Sequence, residues 1–248
     1  MTASVIILVL LSALFHAFWN YLSKVSYSPQ LFLAWVAIVN IAISIAVFLV
    51  RTPVIPSSIW VYIIASGIVH FFYLVSLSQA YTSGEISYVY PIARSAPGLI
   101  PIFAVLILHE KISWQGILGI SCTLVSVYMF IQPEGLWTLP KLLEYLKKPE
   151  AIWSFSTLGT IIVYSIVDKK GMSEFYNQVG GSDIVNAVVY LLAESLLSAG
   201  LYVGYVFYRF PWREIVTIGQ HSGVQIFIST LLKISSYSLI LYALMTER

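Results

Sequence analysis

The chain alternates long apolar runs with short polar ones. Eight runs can cross a bilayer: Ala3–Tyr21, Leu31–Val50, Ile59–Tyr81, Ile86–Leu108, Ile112–Ile131, Ala151–Val167, Ile184–Tyr208 and Ser222–Met245. Each is close to the length a spanning helix needs, about 20 mostly apolar residues. The connections between them hold most of the charge: Lys24, Arg51, Glu85, His109-Glu110-Lys111, Asp168-Lys169-Lys170, and Arg209 with Arg213. The longest, Gln132–Glu150, sets Leu136, Trp137, Leu139, Leu142, Leu143, Tyr145 and Leu146 among Lys and Glu. That pattern fits either a short interfacial amphipathic helix or an ordinary tether. The first run lacks the basic start of a signal peptide, and Ser12, His16 and Asn20 interrupt it. It is expected to remain as helix one.

Composition agrees with the pattern. Of 248 residues, 59% are hydrophobic and 10% charged, against about 25% charged in soluble domains. The expected class is an all-α polytopic membrane protein surrounded by lipid. A net charge of +2 with no basic cluster argues against nucleic acid as a partner. The single cysteine, Cys122, cannot build a disulfide framework or a thiolate metal site. His16, His70, His109 and His221 are scattered, with no HxxxH or HExxH pair, so no metal is expected. With no close acid pair in any span either, no cofactor and no enzyme chemistry are expected. Placing the N-terminus in the cytoplasm puts five basic residues inside and six outside, which fixes no orientation. The expected location is a bacterial-type inner or plasma membrane, with that cytoplasmic N-terminus.

Weak internal repeats follow. "SLSQAYTSGE" (Ser76–Glu85) and "LILYALMTER" (Leu239–Arg248) both close an apolar run with Ala, then Thr, then a charge. "FWNYLSK" (Phe18–Lys24) lies opposite "VYSIVDK" (Val163–Lys169). The chain divides into a five-helix repeat over 1–131, a connection over 132–150 and a partial three-helix repeat over 151–248. An odd number of spans per repeat inverts the second copy, a transporter logic. On this reading eight of ten helices are present, and two more would follow Arg248. A membrane fragment that is inactive or regulatory and needs a partner chain is the alternative; a homodimer is also allowed.

The stretch "GEISYVYPIARSAPGLIPIFAVLILHEKIS" (Gly84–Ser113) puts Pro91, Pro97, Pro101 and Arg94 in one span. Proline removes a backbone donor, and a broken helix at membrane depth must pack in protein or line a wet cavity. An arginine at a helix centre costs roughly 2.5–3.5 kcal/mol, so something polar must offset it. Helical spacing puts Arg94 on one face with Tyr90, Pro97 and Pro101. Two readings stand: an anion contact in a substrate cavity, or a structural arginine satisfied by carbonyls of the kinked helix. In helix one, Ser12, His16, Asn20 and Lys24 recur every four residues, a stripe that should face the bundle. His16 either gates protons or joins Asn20 in interhelical hydrogen bonds. His70 shares a face with Tyr73 and Leu77; Glu194 with Tyr190, Ser198 and Tyr202; Lys233 with Tyr237 and Ile240. Glu194 and Lys233 form an ion pair, or Glu194 couples protons, or Lys233 joins Arg94 as a second anion contact.

"ALFHAFWNYLSK" in helix one and "LSQAYTSGEISYVYPIARSAPGLIPIFAVLILHEKIS" across helices three and four resemble the EamA-type branch of the drug/metabolite transporter superfamily. The resemblance implies ten helices in two inverted five-helix halves that move small metabolites by alternating access. The expected substrate is a small polar or amphipathic metabolite. Its expected contacts are Arg94, Tyr90, His16, Trp19, Asn20, His70, Tyr73, Lys233 and Tyr237, with Glu194 and His16 coupling ions.

Overall fold

The computed structural model describes residues 3–108, 112–131, 144, 146–179 and 184–246. Among them there are nine long or short α-helices and no strand. In chain order these are α1 Ala3–Val25, α2 Pro29–Arg51, α3 Trp60–Ser83, α4 Ile86–Ala93, α5 Ala96–Leu108, α6 Trp114–Ile131, α7 Pro149–Val179, α8 Ile184–Arg209 and α9 Trp212–Thr246. Seven stretches of described residues are long and apolar enough to span a membrane, α4 and α5 together forming one of them, and α6 supplies a shorter apolar segment, Trp114–Ser126. The apolar runs therefore located seven membrane-length stretches, and the expected span Ile112–Ile131 is represented by the shorter segment in α6. The segment His109–Lys111 and most of the Gln132–Glu150 connection (132–143 and 145) lie outside the described residues, as do Glu247 and Arg248 of the repeat match.

Local chemistry sets the helix ends. Ser28 caps α2, its Oγ accepting from the Leu31 N–H at 3.5 Å, and Pro29 follows at the first turn, where its missing N–H costs nothing. Thr52 closes the same helix in the left-handed region (φ 38°), its N–H reaching the Phe48 carbonyl, and Pro53 prevents continuation.

Two expected boundaries are corrected. Asp168-Lys169-Lys170 is not a connection but lies inside α7, which runs to Val179. Ile161, Tyr164, Asp168, Gly171, Met172 and Phe175 are buried along one stripe, the helical period carried straight through the charges. Lys170, Ser173 and Asn177 take the exposed face. At 1.5 Å per residue, the 31 residues of α7 exceed a hydrocarbon core about 30 Å thick. Helix α9 begins ten residues before the expected Ser222, because Ser222 (φ −119°, ψ 17°) is a kink within it.

The chain forms two compact units. The first comprises Met1–Phe71 with Val167–Arg248. In it α1 packs along α9, and α2 packs against α8 and α9. Ile59, Ile63, Met172, Phe175, Tyr190 and Leu241 share one core cluster, and Phe32, Val36 and Ile226 another. The α1 stripe faces inward as expected: Ser12 is buried and its Oγ donates to the Ser236 carbonyl of α9 at 2.7 Å. Leu10, Leu14 and Phe18 are exposed on the same helix, the inverse of a soluble helix and the pattern lipid selects. The second unit is Phe72–Ile166. There α4 and α5 pack on α6, and Ile92 of α4 packs with Ala151 and Phe155 of α7.

Candidate functional site

In the second unit, the chain breaks at Arg94-Ser95 between α4 and α5. Pro97 is the cause. It brings no N–H to the carbonyl of Ala93, the last residue of α4, and its own place in the first turn of α5 is tolerated. Ser95 closes the gap: its Oγ donates to the Ile92 carbonyl at 2.7 Å, and its N–H reaches the same oxygen at 3.2 Å. Because the break resets the helical phase, the expected shared face of Arg94 with Pro97 and Pro101 does not hold across it. That with Tyr90 does: the Arg94 guanidinium lies over the Tyr90 ring, 5.6 Å from its centroid.

Arg94 Nη2 donates to the Tyr73 hydroxyl of α3 at 3.2 Å. Tyr73 packs edge-on against Tyr164, ring centroids 5.6 Å apart. Tyr81 and Tyr164 lie within electrostatic reach of the guanidinium. Beside it is a cavity of about 390 Å3 lined by Tyr90, Pro91, Arg94, Ser95, Cys122, Thr123 and Ser126. One fixed cation, aromatic faces and several hydroxyls in a concave site suit a small ligand with an anionic end. The α6 contributors were not anticipated. Thr123 and Ser126 are spaced i, i+3 in an otherwise apolar run, and that spacing was the available signal.

The first unit holds the other expected residues in two groups. His16 Nδ1 lies 3.2 Å from Ser236 Oγ, Asn20 donates to the His16 carbonyl at 2.7 Å, and His16 meets the Trp19 ring edge-on at 5.0 Å. Trp19 is 1% exposed, and among the described residues its buried indole N–H has no hydrogen-bond partner.

The second group centres on α7. Asp168 is fully buried, accepting from the Tyr190 hydroxyl at 3.0 Å and, on its other oxygen, from the Tyr237 hydroxyl. His70 packs edge-on against Tyr237 at 5.4 Å and contacts Glu194 Oε1 at 2.9 Å through Nδ1. Glu194 therefore pairs with His70. Among the described residues it makes no salt bridge with Lys233, which lies one turn before Tyr237. Asp168 was missed because three consecutive charged residues resemble a loop. Its helical spacing from Tyr164 and Met172 was the contrary signal.

Against these arrangements stands one comparison with known sequences: the pattern of the EamA-like transporter family matches residues 3–132, just over half of the chain and the whole run from α1 through α6. No curated protein and no solved structure matches the chain. An all-helical chain with seven membrane-length stretches, carrying that family pattern, is an integral membrane protein in contact with lipid, and it belongs to the EamA-like transporter family, whose members are transporters of small molecules rather than enzymes.

Proposed function

We propose that the chain moves a small polar or amphipathic metabolite bearing an anionic group, by alternating access, with Arg94 as the anion contact. The observation that carries this reading is the placement of Arg94 at a helix break, lining a hydroxyl-rich cavity beside Tyr90. A membrane arginine that served packing alone would have no need of such a cavity. The Tyr73 hydroxyl holds Nη2 at 3.2 Å, and a planar guanidinium is the group best matched to a carboxylate or phosphate. Broken helices at which two segments meet are a recurrent way to expose backbone and side chain to cargo. His16, Trp19 and Asn20 are proposed as further ligand contacts in the first unit, together with His70, Lys233 and Tyr237.

The test is uptake into proteoliposomes of a radiolabelled panel: short carboxylates, phosphate monoesters and the neutral amide or alcohol counterpart of each. Saturable uptake of anionic members over their neutral counterparts is expected. Arg94→Gln should reduce it to background while expression and monodispersity persist. Arg94→Lys should also be impaired, because an ammonium cannot reproduce a planar two-pronged contact. Equal uptake of charged and neutral members, or wild-type uptake by Arg94→Gln, would sink the reading.

A further inference from the structure

Three i, i+4 pairs on three helices surround Asp168 of α7 and Glu194: Ser66 and His70 on α3, Tyr190 and Glu194 on α8, and on α9 Tyr237, which reaches Asp168, and Lys233, within electrostatic reach of Glu194. Both carboxylates are buried, Asp168 at 0% and Glu194 at 2% exposure. Their surroundings are unequal. Asp168 has a phenol on each oxygen. Glu194 has the imidazole on Oε1, and among the described residues its buried Oε2 has no hydrogen-bond partner.

His70 Nδ1 faces the Ser66 carbonyl and hydroxyl, each at 3.1 Å, and the Glu194 carboxyl at 2.9 Å. With hydrogen on Nδ1 the ring donates to Glu194 Oε1, which leaves Oε2 to take a further proton. Two acidic groups in one buried cluster cannot both ionise without cost. An ionised carboxylate oxygen buried without a donor is unfavourable, whereas a protonated one is not.

We propose that Asp168, His70 and Glu194 form a single exchangeable proton site, with Glu194 Oε2 holding the proton, His70 engaging Oε1 and Asp168 supplying fixed negative charge. Loading forms one O–H bond at Glu194. Unloading breaks it, returns the proton to water and leaves the cluster one charge more negative. Tyr190 and Tyr237 hold Asp168 in place. Lys233, one turn from Tyr237 and within electrostatic reach of Glu194, favours the unloaded state. Tyr62 of α3 packs into the same core; of the lysines next to Asp168, Lys169 is half-buried and Lys170 turns to the exposed face of α7. A cluster that changes charge by one proton inside a transporter is suited to draw on a proton gradient, and only that use rests on the transport reading above.

The proton itself is the probe. Purified full-length protein in lipid is titrated from alkaline to acid pH, and infrared difference spectra are recorded in the carboxylic C=O region in light and heavy water. A titrating carboxyl band is expected in the wild type, and Glu194→Gln should remove it. Asp168→Asn and His70→Gln should each move its midpoint by about tenfold in proton concentration or more. A wild-type spectrum with no titrating carboxyl, or one unchanged by Glu194→Gln, overturns the proposal, and the wild-type result is decisive even if a variant misfolds. A titrating carboxyl with no anion uptake overturns the transport reading and leaves the proton site standing. Anion uptake with no titrating carboxyl does the reverse.

Discussion

Gly171, three residues beyond Asp168, shows how closely the first unit is fitted around its buried acid. A Cβ at Gly171 would stand 2.6 Å from the Tyr190 hydroxyl and 2.9 Å from Tyr62 Cβ. Those are rigid neighbours, so something must shift. Gly171→Ala is expected to push Tyr190 from Asp168 and to cost about 1–3 kcal/mol, the usual range for overpacking. Tyr190→Phe removes a hydrogen bond to a carboxylate and should cost about 1.5–3 kcal/mol. The two changes should not add. Without the hydroxyl the nearest clash is gone, so Gly171→Ala should cost less in the Tyr190→Phe background than alone. Thermal unfolding of the four proteins in one detergent measures the coupling, and strict additivity would separate Gly171 from the acid. Residue chemistry of this kind was partly legible. Arg94, His70 and Glu194 announce themselves as charges in apolar runs, whereas Gly171 has no sequence signal apart from its neighbours in space.

At the scale of elements, the break between α4 and α5 is what aims Arg94. Pro97→Ala would restore an N–H to the Ala93 carbonyl and let one continuous helix form. The altered protein should be as stable as the wild type or more so, with uptake lowered at least about tenfold, because a misplaced binding group costs that much or more. Undiminished uptake would mean that the break is incidental to transport. The three prolines made a broken helix legible in the sequence. The position of Arg94 relative to Pro101 was not, because face arithmetic assumes one uninterrupted helix. The same assumption failed in the opposite direction at Asp168-Lys169-Lys170. Charge density suggested an end, but the buried stripe through Met172 and Phe175 stabilises helix more than three charges oppose it, since Lys170 faces outward. Gly98 adds a check on α5 and α6. Its Cβ would lie 2.4 Å from Thr123 Cγ2, so Gly98→Ala should displace a wall of the Arg94 cavity and raise the KM for uptake more than it lowers kcat.

Across the whole molecule, the first unit draws helices from both ends of the sequence, and no periodicity could have foretold which stripe meets which. The polar stripe of α1 indicated only that it sought a partner; that the partner is Ser236 of α9 is a matter of tertiary packing. Cysteine pairing tests it directly. In a Cys122→Ser background, Ser12→Cys with Ser236→Cys should oxidise to a disulfide joining α1 to α9, since the two hydroxyl oxygens lie 3.3 Å apart. A tryptic pair linking the two helices, detected by mass spectrometry and lost on reduction, is the expected product; its absence would reject the α1–α9 packing. The same contact bears on how the protein is made. Ser12 and Ser236 are 224 residues apart, and synthesis proceeds at about 5–20 residues per second. For roughly 10 to 45 seconds after α1 leaves the ribosome, its Ser12, His16 and Asn20 face the membrane before α9 exists. Through that interval α1 must shelter beside the insertion machinery or another nascent helix. Helix α1 is thus inserted well ahead of the helix it packs on, and biogenesis should be more sensitive to loss of the insertase than the finished protein is to heat.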